Sequence, residues 1–179
     1  MPLVSPLTID DFERLPDALA LNHELVDGEL VDVSGNTGQH NELRDLLISL
    51  LLIHVHERKL GRVLGEQEYN FNGNAHGPDL TFFVTEKVSW YNRKLRVQPF
   101  VPDLAIEIVS ATDTFEKLIG KAHRYRKCGT QEVWIFSIDS REAYVYSAGQ
   151  RAILDEDALF QSSLIPGFSI RIGNLFDRL

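Results

Sequence analysis

The sequence predicts an α/β fold, a mixed central β-sheet flanked by helices. Three observations lead to it. Short runs of strand character recur along the chain, and two of them, residues 101–109 and 132–138, are apolar enough for central strands covered on both faces. Two longer stretches, 41–59 and 113–127, repeat their apolar residues at helical spacing. The order is hairpin, helix, three strands, helix, two strands, with no internal repeat, low-complexity tract or linker. A chain of 179 residues is long enough for one domain with a real core. Residues 1–179 are therefore read as one domain, with 1–22 as an N-terminal extension carrying a short helix.

That first helix spans 8–15. Thr8 followed by Asp11 forms a capping box with Asp in the usual Glu position, and Pro16 closes it. In 23–33, alternating apolar residues flank Asp27-Gly28, the strongest short hairpin signal. A polar loop, 34–38, leads into the long helix 41–59. Leu43, Leu46, Leu47, Leu50 and Ile53 form its stripe, Leu51 and Leu52 widen it, and Gly61 is read as its terminator. Residues 62–71 read as one strand, Asn72-Gly73-Asn74 as a turn, 78–84 as a short apolar strand, and 86–99 as a loop with room for a helical turn. After the strand 101–109 comes the helix 113–127, capped by Thr112 or Asp113, with Gly129 just past its end. Strand 132–138 pairs with 141–147 as a hairpin. Residues 153–164 are weaker extended structure, Pro166-Gly167 is a turn, and Leu175-Phe176 packs the tail.

Bulk properties exclude several classes. The single cysteine, Cys128, rules out an intrachain disulfide and fits a reducing compartment. The N-terminus lacks the basic start and apolar run of a secretory signal, and the most apolar stretch, 46–55, is far short of the roughly 20 residues that span a bilayer. A cytoplasmic protein without a membrane association is expected. The net charge of −8 speaks against nonspecific nucleic-acid binding. Two basic clusters, Arg93, Lys94 and Arg96, and Lys121, Arg124, Arg126 and Lys127, read individually as solvated faces. Glycine-rich nucleotide loops, a Ser-His-Asp set and Cys-rich zinc patterns are all missing from the sequence.

Two strands carry an acid without a structural reason in the sequence. Pro78-Asp79-Leu80-Thr81-Phe82-Phe83 starts a strand with Asp79, and Ala105-Ile106-Glu107-Ile108-Val109 has Glu107 inside one. A buried carboxylate is costly unless it is paired or binds a metal. Mg²⁺ takes one or two carboxylates, completed by water and phosphate oxygens. Two readings stand side by side: a metal-binding pair, or buried acids satisfied by arginine or backbone amides. Asp103 is no partner for Glu107, because four residues along one strand span about 13 Å, too far for two ligands at ~2.1 Å from one Mg²⁺.

These stretches resemble the Uma-two family, described as "putative restriction endonucleases", within the PD-(D/E)xK nuclease superfamily. The matching pieces are Glu24-Leu25-Val26-Asp27-Gly28-Glu29, His40 opening a leucine-rich helix, and Gly77-Pro78-Asp79-Leu80. Pro102-Asp103-Leu104-Ala105-Ile106-Glu107-Ile108-Val109-Ser110 follows, then Lys121 with Tyr125, Gln131-Glu132-Val133-Trp134-Ile135, and Leu164-Ile165-Pro166-Gly167-Phe168. Each is weak alone; their order and spacing from about 24 to 176 are specific. The resemblance implies a restriction-endonuclease-like core and a metal-dependent nuclease. Asp79 is then the Asp of the first motif and Glu107 the acid of the second. They hold Mg²⁺ or Mn²⁺ together with the Ile108 backbone carbonyl. The superfamily lysine belongs two residues after the acid, where this chain has Val109. In this family it looks displaced to the next helix, which maps to Lys121.

Helix geometry separates Lys121 from Lys117. About the stripe of Phe115, Leu118, Ile119, Ala122 and Tyr125, Lys121 lies roughly 90° from the centre and Lys117 roughly 130°. A lysine snorkelling beside the core is the competing reading of Lys121. Glu24 is either a third acid of the site or a hairpin residue paired with arginine. His40 is either a site residue or a structural partner at the helix start, and His76 is expected beside the same cleft. His54 and His56 do not share a helix face and make no zinc site. DNA is the expected substrate, and a homodimer follows by analogy with nucleases that cut two strands. The alternative is a non-catalytic nucleic-acid- or protein-binding module on a nuclease scaffold.

Overall fold

The computed structural model describes residues 5–110 and 114–179. Its chain order is α1 (Ile9–Glu13), α2 (Asp17–Ala20), β1 (His23–Val26), β2 (Glu29–Asp32), α3 (Gly38–Arg58), β3 (Gly61–Gly65), β4 (Glu68–Phe71), β5 (Asn74–His76) and β6 (Leu80–Val84). A 3₁₀ helix, Thr85–Trp90, precedes β7 (Val97–Gln98), β8 (Leu104–Ile108), α4 (Phe115–Lys127), β9 (Glu132–Ser137) and β10 (Glu142–Ser147). The chain ends with β11 (Gln150–Leu154), β12 (Leu159–Gln161), β13 (Ser169–Arg171) and α5 (Gly173–Phe176).

The central sheet has the order β11-β10-β9-β8-β6-β3. It is mixed: β8 and β9, joined through α4, run parallel, and the other pairs are antiparallel. Side chains alternate across β8 as the pleat requires. Leu104, Ile106 and Ile108 enter the core beneath α3, together with Leu43, Leu47, Leu51 and Val55. Ala105 joins the opposite core, beneath α4, with Leu118, Ala122 and Tyr125. Glu107, two residues on, shares its face.

Several local expectations hold in atomic detail. Thr8 and Asp11 form the reciprocal capping box. Asp27 and Gly28 both take positive φ, 50° and 86°, between the paired ends Val26 and Glu29. The long helix begins three residues before the expected start, because Thr37 accepts a hydrogen bond from the His40 N–H and caps it. Lys59, in the left-handed conformation at φ 55°, closes it instead of Gly61. Gly61 lies in β3, where a Cβ would collide with the Phe83 carbonyl oxygen. Leu52 and Ile53 are exposed, so the buried stripe is narrower than the sequence suggests. The second long helix is capped by Thr114; the expected caps Thr112 and Asp113 lie outside the described residues.

The larger difference is the sheet. Residues 62–71 form two strands, broken where Glu66 turns to φ 51°. β3 stays in the central sheet, while β4 enters a second one with the order β2-β1-β5-β4-β7. This second sheet carries the N-terminal hairpin. Phe12 of α1 packs against it with Leu25, Ala75 and Val97, and the Arg96 guanidinium lies 4.3 Å over the Phe12 ring.

The C-terminal segment is tied to β9 by one buried carboxylate. Glu132 accepts hydrogen bonds from Trp134 Nε1 (2.9 Å), Ser162 Oγ (3.0 Å), Ser163 N (3.1 Å), Ser163 Oγ (2.5 Å) and Leu164 N (3.0 Å). Removing it strands several donors away from water. Glu132→Ala is expected to destabilise the fold by about 3 kcal/mol, read as a lowered denaturation midpoint.

Candidate active site

The register of the central sheet sets the two sequence-predicted acids side by side. Leu80 pairs with Ile106, and the antiparallel ladder carried one residue further places Asp79 opposite Glu107. Asp79 Oδ2 accepts a 2.7 Å hydrogen bond from the Ile108 N–H. Its Oδ1 lies 3.2 Å from His40 Nε2, on the first turn of α3. Glu107 points the other way from Ile108, toward α4. There Tyr125 donates its hydroxyl to Glu107 Oε1 at 2.7 Å, and Lys121 Nζ stands 3.7 Å from the same oxygen. Lys121 and Tyr125 are one helical turn apart, which is why both reach one carboxylate.

Glu24 arrives from the second sheet. Its Oε1 accepts from Lys121 Nζ at 3.0 Å and from the Gly77 N–H at 3.1 Å. Its Oε2 lies 2.8 Å from His76 Nδ1. An aromatic plate backs the group: the Tyr125 ring stacks on Phe71 at 4.3 Å and meets His76 edge-on at 5.6 Å. The structure thus brings together Asp79, Glu107, Lys121, Glu24, His40 and His76. It keeps Asp103 apart, where Asp103 accepts from Lys87 Nζ (2.8 Å), Gln131 Nε2 (2.8 Å) and Val84 N (2.9 Å). Tyr125 is part of the family resemblance beside Lys121 but is not among the site residues expected from the sequence, since its ring counts as core and helical periodicity says nothing about a hydroxyl.

Three carboxylates face one ammonium, and the electrostatics follow. Burial raises the Glu107 pKa, and neighbouring Asp79 and Glu24 raise it further. Lys121 and the Tyr125 hydrogen bond pull the other way, leaving it at about 8. Burial also opposes ionisation of Glu24, but Lys121 and His76 outweigh it and hold the pKa at about 2. Burial alone would lower the Lys121 pKa; Glu107, Glu24 and Asp79 reverse that and raise it. The Tyr125 hydroxyl is raised well above its ordinary value by burial and by the same carboxylates, so it stays a donor.

Glu24, His40, His76, Asp79, Glu107 and Lys121 line one cleft of about 1110 Å³, with Tyr125 buried behind them. Among the described residues no three His, Cys, Asp or Glu side chains converge tightly enough to hold an ion unaided. Two carboxylates with water, backbone and phosphate oxygens is a donor set that suits Mg²⁺. The surplus of negative charge around Lys121 fits a cation as well.

The comparisons agree with this architecture. Residues 9–173 match the Uma2 family, described as "Putative restriction endonuclease". The chain belongs to that family. A crystal structure described as "a putative nuclease belonging to DUF820" from Anabaena variabilis ATCC 29413 superposes with a TM-score of 0.85 at 24% identity, covering 96% of this chain and 98% of that one. The two chains therefore share one fold. No curated protein matches the chain.

The two shifted glutamates give metal-free protein a defined pH dependence. Glu107 is raised from 4.5 to about 8, so its contribution is present below 4.5 and lost as pH rises toward 8. Glu24 is lowered from 4.5 to about 2, so its contribution is present above 4.5 and lost as pH falls toward 2. Thermal melts in EDTA are expected to show stability declining between slightly acid and slightly alkaline pH. Tyr125→Phe removes the bond that favours ionised Glu107, and should carry that decline to higher pH while its ring packing persists.

Proposed function

We propose that the protein is a metal-dependent nuclease that hydrolyses phosphodiester bonds, with DNA as substrate. The observation that carries this reading is the meeting of Asp79 and Glu107 at the end of two paired strands, with Lys121 beside them and too little positive charge to balance the acids. Asp79, Glu107 and the Ile108 carbonyl would hold Mg²⁺ or Mn²⁺, and such an ion supplies Lewis acidity toward a phosphate and a lowered pKa for bound water.

The chain's own residues have separate tasks. Lys121 orients the attacking water and offsets the negative charge that develops on the phosphate. Glu24, itself fixed by His76 and the Gly77 N–H, holds the Lys121 ammonium at the cleft. His40 and the Ile108 N–H fix the two Asp79 oxygens. Tyr125 fixes one oxygen of Glu107 and leaves the other for a ligand. Arg124, at 3.3 Å from Asp27 on the cleft rim, is placed to trade that exposed pair for a flanking phosphate. A homodimer belongs to the same proposal.

The net charge of −8 favours a second reading, a binding module on a nuclease scaffold. One experiment separates the two. With Mg²⁺ or Mn²⁺, wild-type protein is expected to cleave DNA, and Asp79→Ala and Lys121→Ala to lose at least about 100-fold in rate. Cleavage that survives Asp79→Ala would place the activity elsewhere. Wild-type Mn²⁺ binding without any cleavage would favour the binding module.

A further inference from the structure

The cleft has two walls of different chemistry. On the α4 side it is lined by Lys117, Lys121 and Arg124. On the side formed by α2 and the β1–β2 hairpin it is lined by Leu21, Val31 and Val33. These three are 63%, 39% and 40% exposed, although their side chains are purely aliphatic. The same lip carries the exposed acids Asp17 and Asp32 beside Asn22, His23 and Asn36, and its one guanidinium, Arg96, is bound by the Ala20 carbonyl and Glu68; Glu66 and Glu68 also line the cleft. Glu66 and Glu68 are already engaged by Arg44 and Arg96.

An intact duplex is a poor match for that pair of walls. It turns phosphates outward along both strands, about one charge per 1.7 Å of axis, so a wall that meets it needs cations or hydrogen-bond donors. A lip of aliphatic surface and exposed acids, whose one guanidinium is already engaged, offers a row of phosphates little. An unpaired strand separates its two chemistries, with phosphates along one edge and apolar base faces along the other. Its phosphates suit Lys117, Lys121 and Arg124, and its bases cover Leu21, Val31 and Val33, which gain by leaving water. At about 1110 Å³ the cleft is close to the ~300–1,000 Å³ range of small-ligand pockets, room for a short stretch of one strand.

We propose that the Leu21–Val31–Val33 lip is a base-binding subsite, and that the cleft takes unpaired nucleic acid in preference to duplex. This rests on the nuclease reading above and narrows its substrate. Aliphatic contact with base faces carries no hydrogen-bond code, so the preference is for strand form and not for sequence.

The test is fluorescence anisotropy with wild-type protein in Mg²⁺, using labelled phosphorothioate DNA that resists hydrolysis. Three ligands of equal length serve: a single strand, its duplex, and a strand with abasic sites across the middle. The single strand is expected to bind at least about tenfold tighter than the duplex, and the Val31→Ser/Val33→Ser protein to lose about fivefold or more on the single strand alone. Both residues are exposed, and a circular dichroism melt checks that the double variant folds. Equal or tighter duplex binding overturns the proposal. So does an equal loss on the abasic strand, or no binding of any ligand. A retained single-strand preference and lip effect with no hydrolysis of unmodified DNA would sink the catalytic reading and leave the subsite standing.

Discussion

The molecule is organised around an imbalance of buried charge: Glu24, Asp79 and Glu107 converge on the single ammonium of Lys121. Such a cluster is costly to hold together, because each carboxylate gives up water and repels the next. The fold meets that cost with positions that come from separate elements. Glu24 comes from β1 of the second sheet, Asp79 and Glu107 from neighbouring strands of the central sheet, and Lys121 from the crossover helix α4. The cluster is therefore the seam between the two sheets. The interaction that draws the N-terminal hairpin against α4 is the same one that keeps the lysine at the cleft.

The seam has a strong and a weak part. Glu24 and Lys121 are joined where the carboxylate is 4% exposed, with His76 and the Gly77 N–H completing its shell. Arg124 and Asp27 repeat the contact one turn further along α4, but Asp27 is 75% exposed, and such pairs contribute little to stability. The buried pair sets geometry; the outer pair can be exchanged for another anion at small cost. Two further cations of the basic clusters are likewise committed to the fold: Arg96 binds Glu68 and Arg126 binds the Thr130 carbonyl. Lys117, Lys121 and Arg124 nonetheless stand together along one wall of the cleft.

Much of this was legible in the residues, and the gaps have physical causes. The hairpin at Asp27-Gly28, the capping box at Thr8 and the helix ending before Gly129 depend on local backbone preference, which a sequence carries directly. The division into two sheets does not. Residues 62–71 read as one run although Gly65-Glu66-Gln67-Glu68 interrupts its apolar residues, and the positive φ of Glu66 and the partners of β4 show that it splits. Asp79 and Glu107 stood out because acids in apolar strands need partners. Glu24 and His76 were candidates of the site with a weaker signal, since each sits in a hairpin or turn where a polar residue is ordinary, and their pairing, which joins positions 52 residues apart, could not be read.

The acid-in-a-strand signal is also incomplete by itself, as Glu132 shows. It opens an apolar strand much as Asp79 does, is equally without excuse in the sequence, and is 2% exposed. Yet neutral donors from Trp134, Ser162, Ser163 and Leu164 enclose its carboxylate. This chain can satisfy a buried glutamate completely when the glutamate serves the fold. Glu107, on the adjacent strand, has one hydroxyl at hydrogen-bond distance, an ammonium at 3.7 Å and two more acids nearby. The difference between the two is what a sequence pattern cannot express: the number of donors that tertiary structure supplies. Where the fold leaves a buried carboxylate short of donors and beside its own kind, its charged form is disfavoured, which is what the raised pKa of Glu107 expresses.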